Sequence, residues 1–83
     1  MYSNLPRLDL HGCDREYAIF LTNNFLNDYY KIGASRVVII HGKGTGIIRK
    51  CVFDLLKTSK IVDSFSLNMF NDGETIVDLK EKK

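Results

Sequence analysis

The strongest constraint on the fold lies between residues 36 and 58. Arg36-Val37-Val38-Ile39-Ile40 is a continuous run dominated by β-branched residues, the pattern of a strand covered on both faces of a sheet. It passes without a break into the glycine-rich stretch His41-Gly42-Lys43-Gly44-Thr45-Gly46. From about Thr45 to Thr58, Ile48, Cys51, Val52, Leu55 and Leu56 recur at helical spacing and make one inward face.

The flanking segments fit the same alternation of strand and helix. Leu8-Asp9-Leu10-His11 alternates apolar and polar residues, so it reads as a strand that ends at Gly12. Asp14 can cap the next element by accepting backbone N–H groups. A helix is expected from about Arg15 to Ile32, with Ala18, Leu21, Phe25, Tyr29 and Ile32 as its buried stripe and Gly33 as its stop. Phe65, Leu67 and Met69 alternate with Ser64, Ser66 and Asn68, which predicts a third strand. Asn71-Asp72-Gly73 carries turn chemistry, and Thr75 to Leu79 makes a fourth strand, closing a hairpin.

The resulting order is βαβαββ. Parallel crossovers are right-handed in nearly all cases. With strands in the order 1-2-3-4, both helices fall on one face of a four-stranded mixed sheet, an α/β two-layer sandwich. The 83 residues make one domain, with a core over about residues 7–80 and loose ends at residues 1–6 and Lys80–Lys83.

Hydrophobic residues at 45% and charged residues at 27% exclude a disordered chain. A formal net charge of +2 is too small to announce a polyanion partner, so any such role must come from where the charges sit. Cys13 and Cys51 form no CxxC pair and fit a reducing compartment. The N-terminus has no basic region leading into an apolar run, and the longest apolar runs are far below the ~20 residues that span a bilayer. A cytoplasmic protein without membrane attachment is expected.

In open α/β sheets, ligands bind beyond the carboxyl ends of the strands, and both polar clusters fall there. Gly42, Gly44 and Gly46 let the backbone take positive φ and approach a ligand closely. The loop opens directly into a helix whose free N–H groups and dipole favour an anion. Lys43 adds a mobile charge, and Thr45 can cap the helix or bond a phosphate oxygen. Arg49 and Lys50, in the first turns, extend a strip for a phosphate backbone. The loop is neither a Walker A motif nor G-x-G-x-x-G.

LDLHG at residues 8–12, about thirty residues to an apolar strand ending in HGKGTG at residues 41–46, and a hairpin ending in TIVDL together resemble the Smr (small MutS-related) domain family, from Leu8 to about Lys80. Family members usually carry a longer glycine-rich loop before the last strand, where this chain has only Asn71-Asp72-Gly73-Glu74-Thr75. The resemblance implies nucleic-acid binding, with DNA nicking or RNA endonuclease activity in several members. It also implies a domain that stands alone or ends a larger MutS-like chain. A likeness in fold to the C-terminal domain of a translation initiation factor implies RNA or ribosome contact. Asp9 and His11 match the first motif; His41, Gly42, Lys43, Gly44 and Gly46 match the second.

Phosphodiester cleavage needs an activated nucleophile, a proton for the leaving oxygen and neutralised phosphate charge. His41 could serve as base or acid, with Asp9 to orient it or hold a metal-bound water, Lys43 and the helix N-terminus to stabilise charge, and His11 as a further candidate catalytic residue. On RNA the 2′-hydroxyl can be the nucleophile and no cofactor is required. On DNA a water must be activated, and a divalent metal such as Mg or Mn would help. Asp9, His11 and His41 could ligate one ion, though nothing in their spacing demands it. Each residue also has a quieter role open to it: His11 capping a turn, Asp9 fixing the HGKGTG backbone, His41 closing a strand, Arg49 and Lys50 as a solvated face. Cys13 reads as a small hydrophobe, and Tyr30 as a packing residue. The expected function is an endonuclease acting on DNA or RNA. The alternatives are a non-catalytic module that binds structured DNA, RNA or the ribosome, and a protein-interaction domain.

Overall fold

A computed structural model describes residues 4–82. The elements are β1 (Arg7–Asp9), α1 (Arg15–Lys31), β2 (Arg36–Ile40), α2 (Ile47–Thr58), β3 (Val62–Asn68) and β4 (Asn71–Leu79). The βαβαββ order and the two-layer α/β sandwich are as expected. The order across the sheet is not: it runs β1-β2-β4-β3, with β4 between β2 and β3. β1 is parallel to β2, and β4 is antiparallel to both β2 and β3. The reason lies in composition. Gly73 through Val77 are all buried, as an interior strand requires, whereas Asp63, Ser64 and Ser66 are exposed and suit an edge. The crossover from β2 to β3 passes over one strand and leaves both helices on the same face.

That face holds the core. Val37 and Ile39 of β2 and Val77 of β4 meet Ala18 and Leu26 of α1 and Val52 and Leu56 of α2, with Leu10 at the end of β1. Asp14 caps α1 as expected, its Oδ1 accepting from the Tyr17 N–H at 2.8 Å. Gly33, at φ +82°, turns the chain out of it. The buried row of α1 is rotated from the expected stripe. Ala18, Thr22 and Leu26 are buried, Leu21, Phe25 and Tyr29 pack partly against the core, and Ile32 is 75% exposed. α1 contacts both the sheet and α2, and its small residues Ala18 and Thr22 are fully buried. The expected inward residues of α2 hold, with Val52 and Leu56 buried and Ile48, Cys51 and Leu55 partly so.

The hairpin differs in detail. The chain turns at Met69-Phe70, and Asn68 pairs with Asn71. Pairing then jumps to Leu67 opposite Thr75, so residues 72–74 form an irregularity in β4. The turn chemistry of Asn71-Asp72-Gly73 is spent there: Asn71 Oδ1 accepts from the Gly73 N–H at 3.0 Å. Met69 is therefore exposed at the tip, and Asn68 is buried in its place. At the ends, Pro6 O accepts from the Val38 N–H, and the Lys80 N–H bonds to Ile61 O, so the chain is tied at both. Residues 1–3 and 83 of the expected loose ends lie outside the described residues. Among those described, no helix is long and apolar enough to cross a membrane.

Candidate nucleic-acid interface

The ends of β1 and β2 lie side by side, with Asp9 opposite Ile40 and the Leu10 N–H bonded to Ile40 O at 2.9 Å. The two motifs therefore meet. Residues 9–13 and 40–44, with Ile48, line one shallow cleft of about 470 Å³.

Two glycines of the loop carry the backbone demand. Gly42 sits at φ +81° and Gly46 at φ +84°; Gly44, expected to join them, does not have a positive φ. Gly46 is the N-cap of α2. It offers no side chain to the helix end, and the first turn holds no acidic residue. Thr45 contributes only a long contact of 3.4 Å from the Ile47 N–H to its Oγ1. The positive end of α2 is thus open to an anion.

The three cations separate. Lys43 is exposed, with Nζ 3.6 Å from Asp72 Oδ1. Arg49 folds back over the loop, so that a Cβ placed on Gly46 would lie 3.4 Å from its Nη2. Lys50 turns along the helix to Asp54 at 2.9 Å, a contact that raises its pKa. Lys43 lines the cleft, Arg49 lies over the Gly46 end of the loop, and Lys50 is engaged along the helix.

His41 is not the accessible histidine that the sequence suggests. It is 9% exposed, edge-on to Phe53 at 6.2 Å between ring centroids. Its Nδ1 lies 3.1 Å from Gly42 O and its Nε2 2.7 Å from Thr75 Oγ1. A carbonyl only accepts, so Nδ1–H donates to Gly42 O and Nε2 accepts from the Thr75 hydroxyl. Burial, and secondarily Arg49, push its pKa below the ordinary value against the opposing pull of the Gly42 bond. Both ring nitrogens of a neutral imidazole are taken, and the residue shapes the loop from beneath.

β4 clamps the same loop. The His41 and Gly42 N–H groups both donate to Gly73 O, at 2.9 and 3.0 Å. A Cβ on Gly73 would meet Lys43 Cγ at 3.2 Å and Gly42 C at 3.4 Å. Sequence reasoning missed Gly73 and Thr75 as loop supports. The available signal was a lone hydroxyl beginning the apolar Ile76-Val77 run.

Asp9 and His11 are exposed. Asp9 Oδ1 accepts from the His11 N–H at 2.9 Å, a tight turn off the end of β1. Asp9 thus fixes its own turn rather than the HGKGTG backbone, and His11 holds its ring in solvent at the cleft. Asp9, His11 and His41 do not gather as ligands: among the described residues no three His, Cys, Asp or Glu side chains are placed to hold a metal ion. Cys13 is a half-buried free thiol packed against the core.

The state of His41 makes stability depend on pH. The folded protein holds this ring neutral below the pH at which the unfolded chain protonates it. The unfolded state therefore binds more protons, and stability falls as pH drops through 6.5 toward the lower folded value. Thermal midpoints measured from pH 7.5 to 5 should decline across this window, and His41→Gln should flatten the decline. An equal slope in that variant would place the titration elsewhere.

The chain matches the family model described as the Smr domain over residues 8–80. It is 42% identical over 77 residues to Endonuclease MutS2 of Clostridium beijerinckii, and 41% identical over 76 residues to that of Clostridium acetobutylicum. These alignments cover 89% and 92% of this chain but 10% of each relative, so the chain spans about a tenth of their length. Among solved structures, the Smr domain of Thermus thermophilus MutS2 superposes with a TM-score of 0.89 at 29% identity, over 92% of this chain and 99% of that one. YdaL, a stand-alone small MutS-related protein from Escherichia coli, shares the fold at 24% identity, with a TM-score of 0.86 over 90% of this chain and 64% of its own.

Proposed function

The chain belongs to the Smr domain family, and from that premise we propose that it binds nucleic acid through a backbone phosphate and cuts a strand there. The observation that carries the reading is the convergence of the two motifs in one cleft, beside a helix start whose N-cap is a glycine. A phosphate seated there takes N–H groups from the first turn of α2, with Lys43 and Arg49 adding charge on either side. The similarity to proteins named endonucleases supports the cleavage half.

The chemistry falls to the first motif. His11 is the exposed imidazole of the cleft, able to accept a proton from the attacking oxygen, a 2′-hydroxyl on RNA or a water on DNA. Asp9 acts on it as a positioning residue through the backbone bond to His11 N. Lys43, Arg49 and the α2 terminus neutralise charge as it builds on the phosphoryl oxygens. The residues do not gather to fit a bound Mg or Mn, and no step is assigned to one. A second reading has its own support: with the ring of His41 occupied, the cleft holds one proton-transfer histidine instead of two, which favours a non-catalytic module for structured DNA, RNA or the ribosome. Under either reading the nucleic acid lies at the same place, and the rest of a larger MutS-like chain is the natural partner. Two free thiols fit a cytoplasmic setting.

Binding is tested by salt. If Lys43 and Arg49 each neutralise one phosphate, log K on duplex DNA should fall with log salt at a slope of about −2. Lys43→Ala and Arg49→Ala should each remove about one unit of that slope, and Lys50→Ala should leave it nearly unchanged. An unaltered slope in the first two variants, read by fluorescence anisotropy, would overturn this phosphate site.

A further inference from the structure

The tip of the β3–β4 hairpin is apolar and belongs to the edge that carries the cleft. β3 is antiparallel to β4, which is antiparallel to β2, so β3 ends at the same side of the sheet as β1 and β2. Met69 and Phe70 make the turn there, 86% and 73% exposed. Single exposed hydrophobes are ordinary; two adjacent ones at the apex of a tight turn, beside a polar cleft, call for a partner.

The tip is also held in place. The Phe70 N–H donates to Asn68 Oδ1 at 2.9 Å. Asn68 is buried and donates through Nδ2 to Glu74 Oε1 at 3.1 Å, and Glu74 pairs with Arg7 of β1. The same strand reaches the glycine loop through Gly73 O, and Asp72 approaches Lys43. A chain of polar contacts thus fixes Met69 and Phe70 relative to the phosphate loop.

We propose that Met69 and Phe70 form a base-stacking wedge, and that the ligand of this domain is nucleic acid with unpaired or readily unstacked bases. The proposal rests on the phosphate-binding reading above. Nucleic acid presents phosphates and base faces along one strand, and the molecule offers a site for each on one edge of the sheet: an anion site in the loop, and an aromatic with a flexible thioether at the hairpin tip. Phe and Met are among the side chains that enter base steps and partly unstack them. Stacking on an aromatic serves every base, so the wedge selects exposure of a base and not its identity. A fully paired duplex would touch only the phosphate site.

The test compares a single-stranded DNA, a duplex and a duplex with a central unpaired loop, matched in phosphate number and read by anisotropy on the 83-residue chain. Wild type should bind the single strand and the looped duplex more tightly than the plain duplex. Phe70→Ala should lose about 5- to 150-fold on the first two, the range for removing one stacking aromatic, with duplex affinity and thermal midpoint kept. Phe70→Trp should restore the preference. Met69→Ala provides a second variant should Phe70→Ala fold poorly, and it should weaken the same preference. Equal affinity of wild type and Phe70→Ala for the looped duplex would overturn the wedge while leaving phosphate binding in place. Absence of binding to all three ligands would overturn both readings. Concentration-dependent dimerisation abolished by Phe70→Ala, seen by sedimentation, would overturn the wedge in favour of a contact between copies.

Discussion

His41→Ala should destabilise the domain by about 2–4 kcal/mol, the range for removing a large buried side chain that cannot be replaced by collapse. In a chain of this size that lowers the thermal midpoint by roughly 10–30 °C. The ring is 9% exposed, packs edge-on to Phe53, and supplies the acceptor for the Thr75 hydroxyl. Its removal leaves that hydroxyl buried without a partner, which costs about 1–3 kcal/mol on its own. Thr75→Val should be milder, since it orphans one imidazole nitrogen and keeps the packing. Because the two residues share one hydrogen bond, the double variant should cost less than the sum of the singles. The Gly42 carbonyl loses its donor as well, so nucleic-acid affinity should fall together with stability. Urea titrations and binding isotherms on the three variants check this. An unchanged midpoint with selective loss of cleavage would return His41 to proton transfer.

Part of this arrangement is readable in the sequence. The alternation along β2 puts Val37 and Ile39 on the core side, and extending the period by one step puts His41 there too. Its burial follows from parity, although a histidine beside a glycine loop invites a catalytic reading. Lys50 is likewise legible: Asp54 stands four residues on, the spacing of a helical ion pair, which leaves Arg49 as the cation that returns to the loop. The strand order was available only in part. An apolar Ile76-Val77 run against the serines of β3 marks interior against edge, but which neighbour an interior strand chooses depends on crossover length and on what the helices can cover. The hairpin could not be read locally. Asn71-Asp72-Gly73 has the chemistry of a turn, and the fold uses it in a bulge that points a carbonyl at His41 and Gly42; only the tertiary demand of the loop places the chain reversal at Met69-Phe70. Gly44 carries the same lesson. Three alternate glycines suggest three positive φ values, yet only Gly42 and Gly46 need them.

His11→Ala should lower single-turnover cleavage by about 10²–10⁴, the usual contribution of a positioned proton-transfer group. The residue is exposed and its ring takes no part in the core, so the midpoint should stay with that of the wild type, in contrast to His41→Ala. Its backbone N–H is what Asp9 binds, and that bond survives the substitution. Asp9→Asn isolates a different element. An asparagine Oδ1 can still accept from His11 N–H, so the turn should hold while the carboxylate charge at the cleft is lost. Cleavage should therefore fall less than in His11→Ala. The assay uses labelled RNA and DNA carrying an unpaired loop, each with and without EDTA. RNA cleavage that survives EDTA points to the 2′-hydroxyl as nucleophile, and DNA cleavage that needs added Mg or Mn points to an activated water. If His11→Ala cleaves as fast as the wild type, the reacting proton is carried by another group. If the wild type cuts neither polymer under any of these conditions yet binds them with the expected salt slope, the domain is a binding module and the cleft is a phosphate grip.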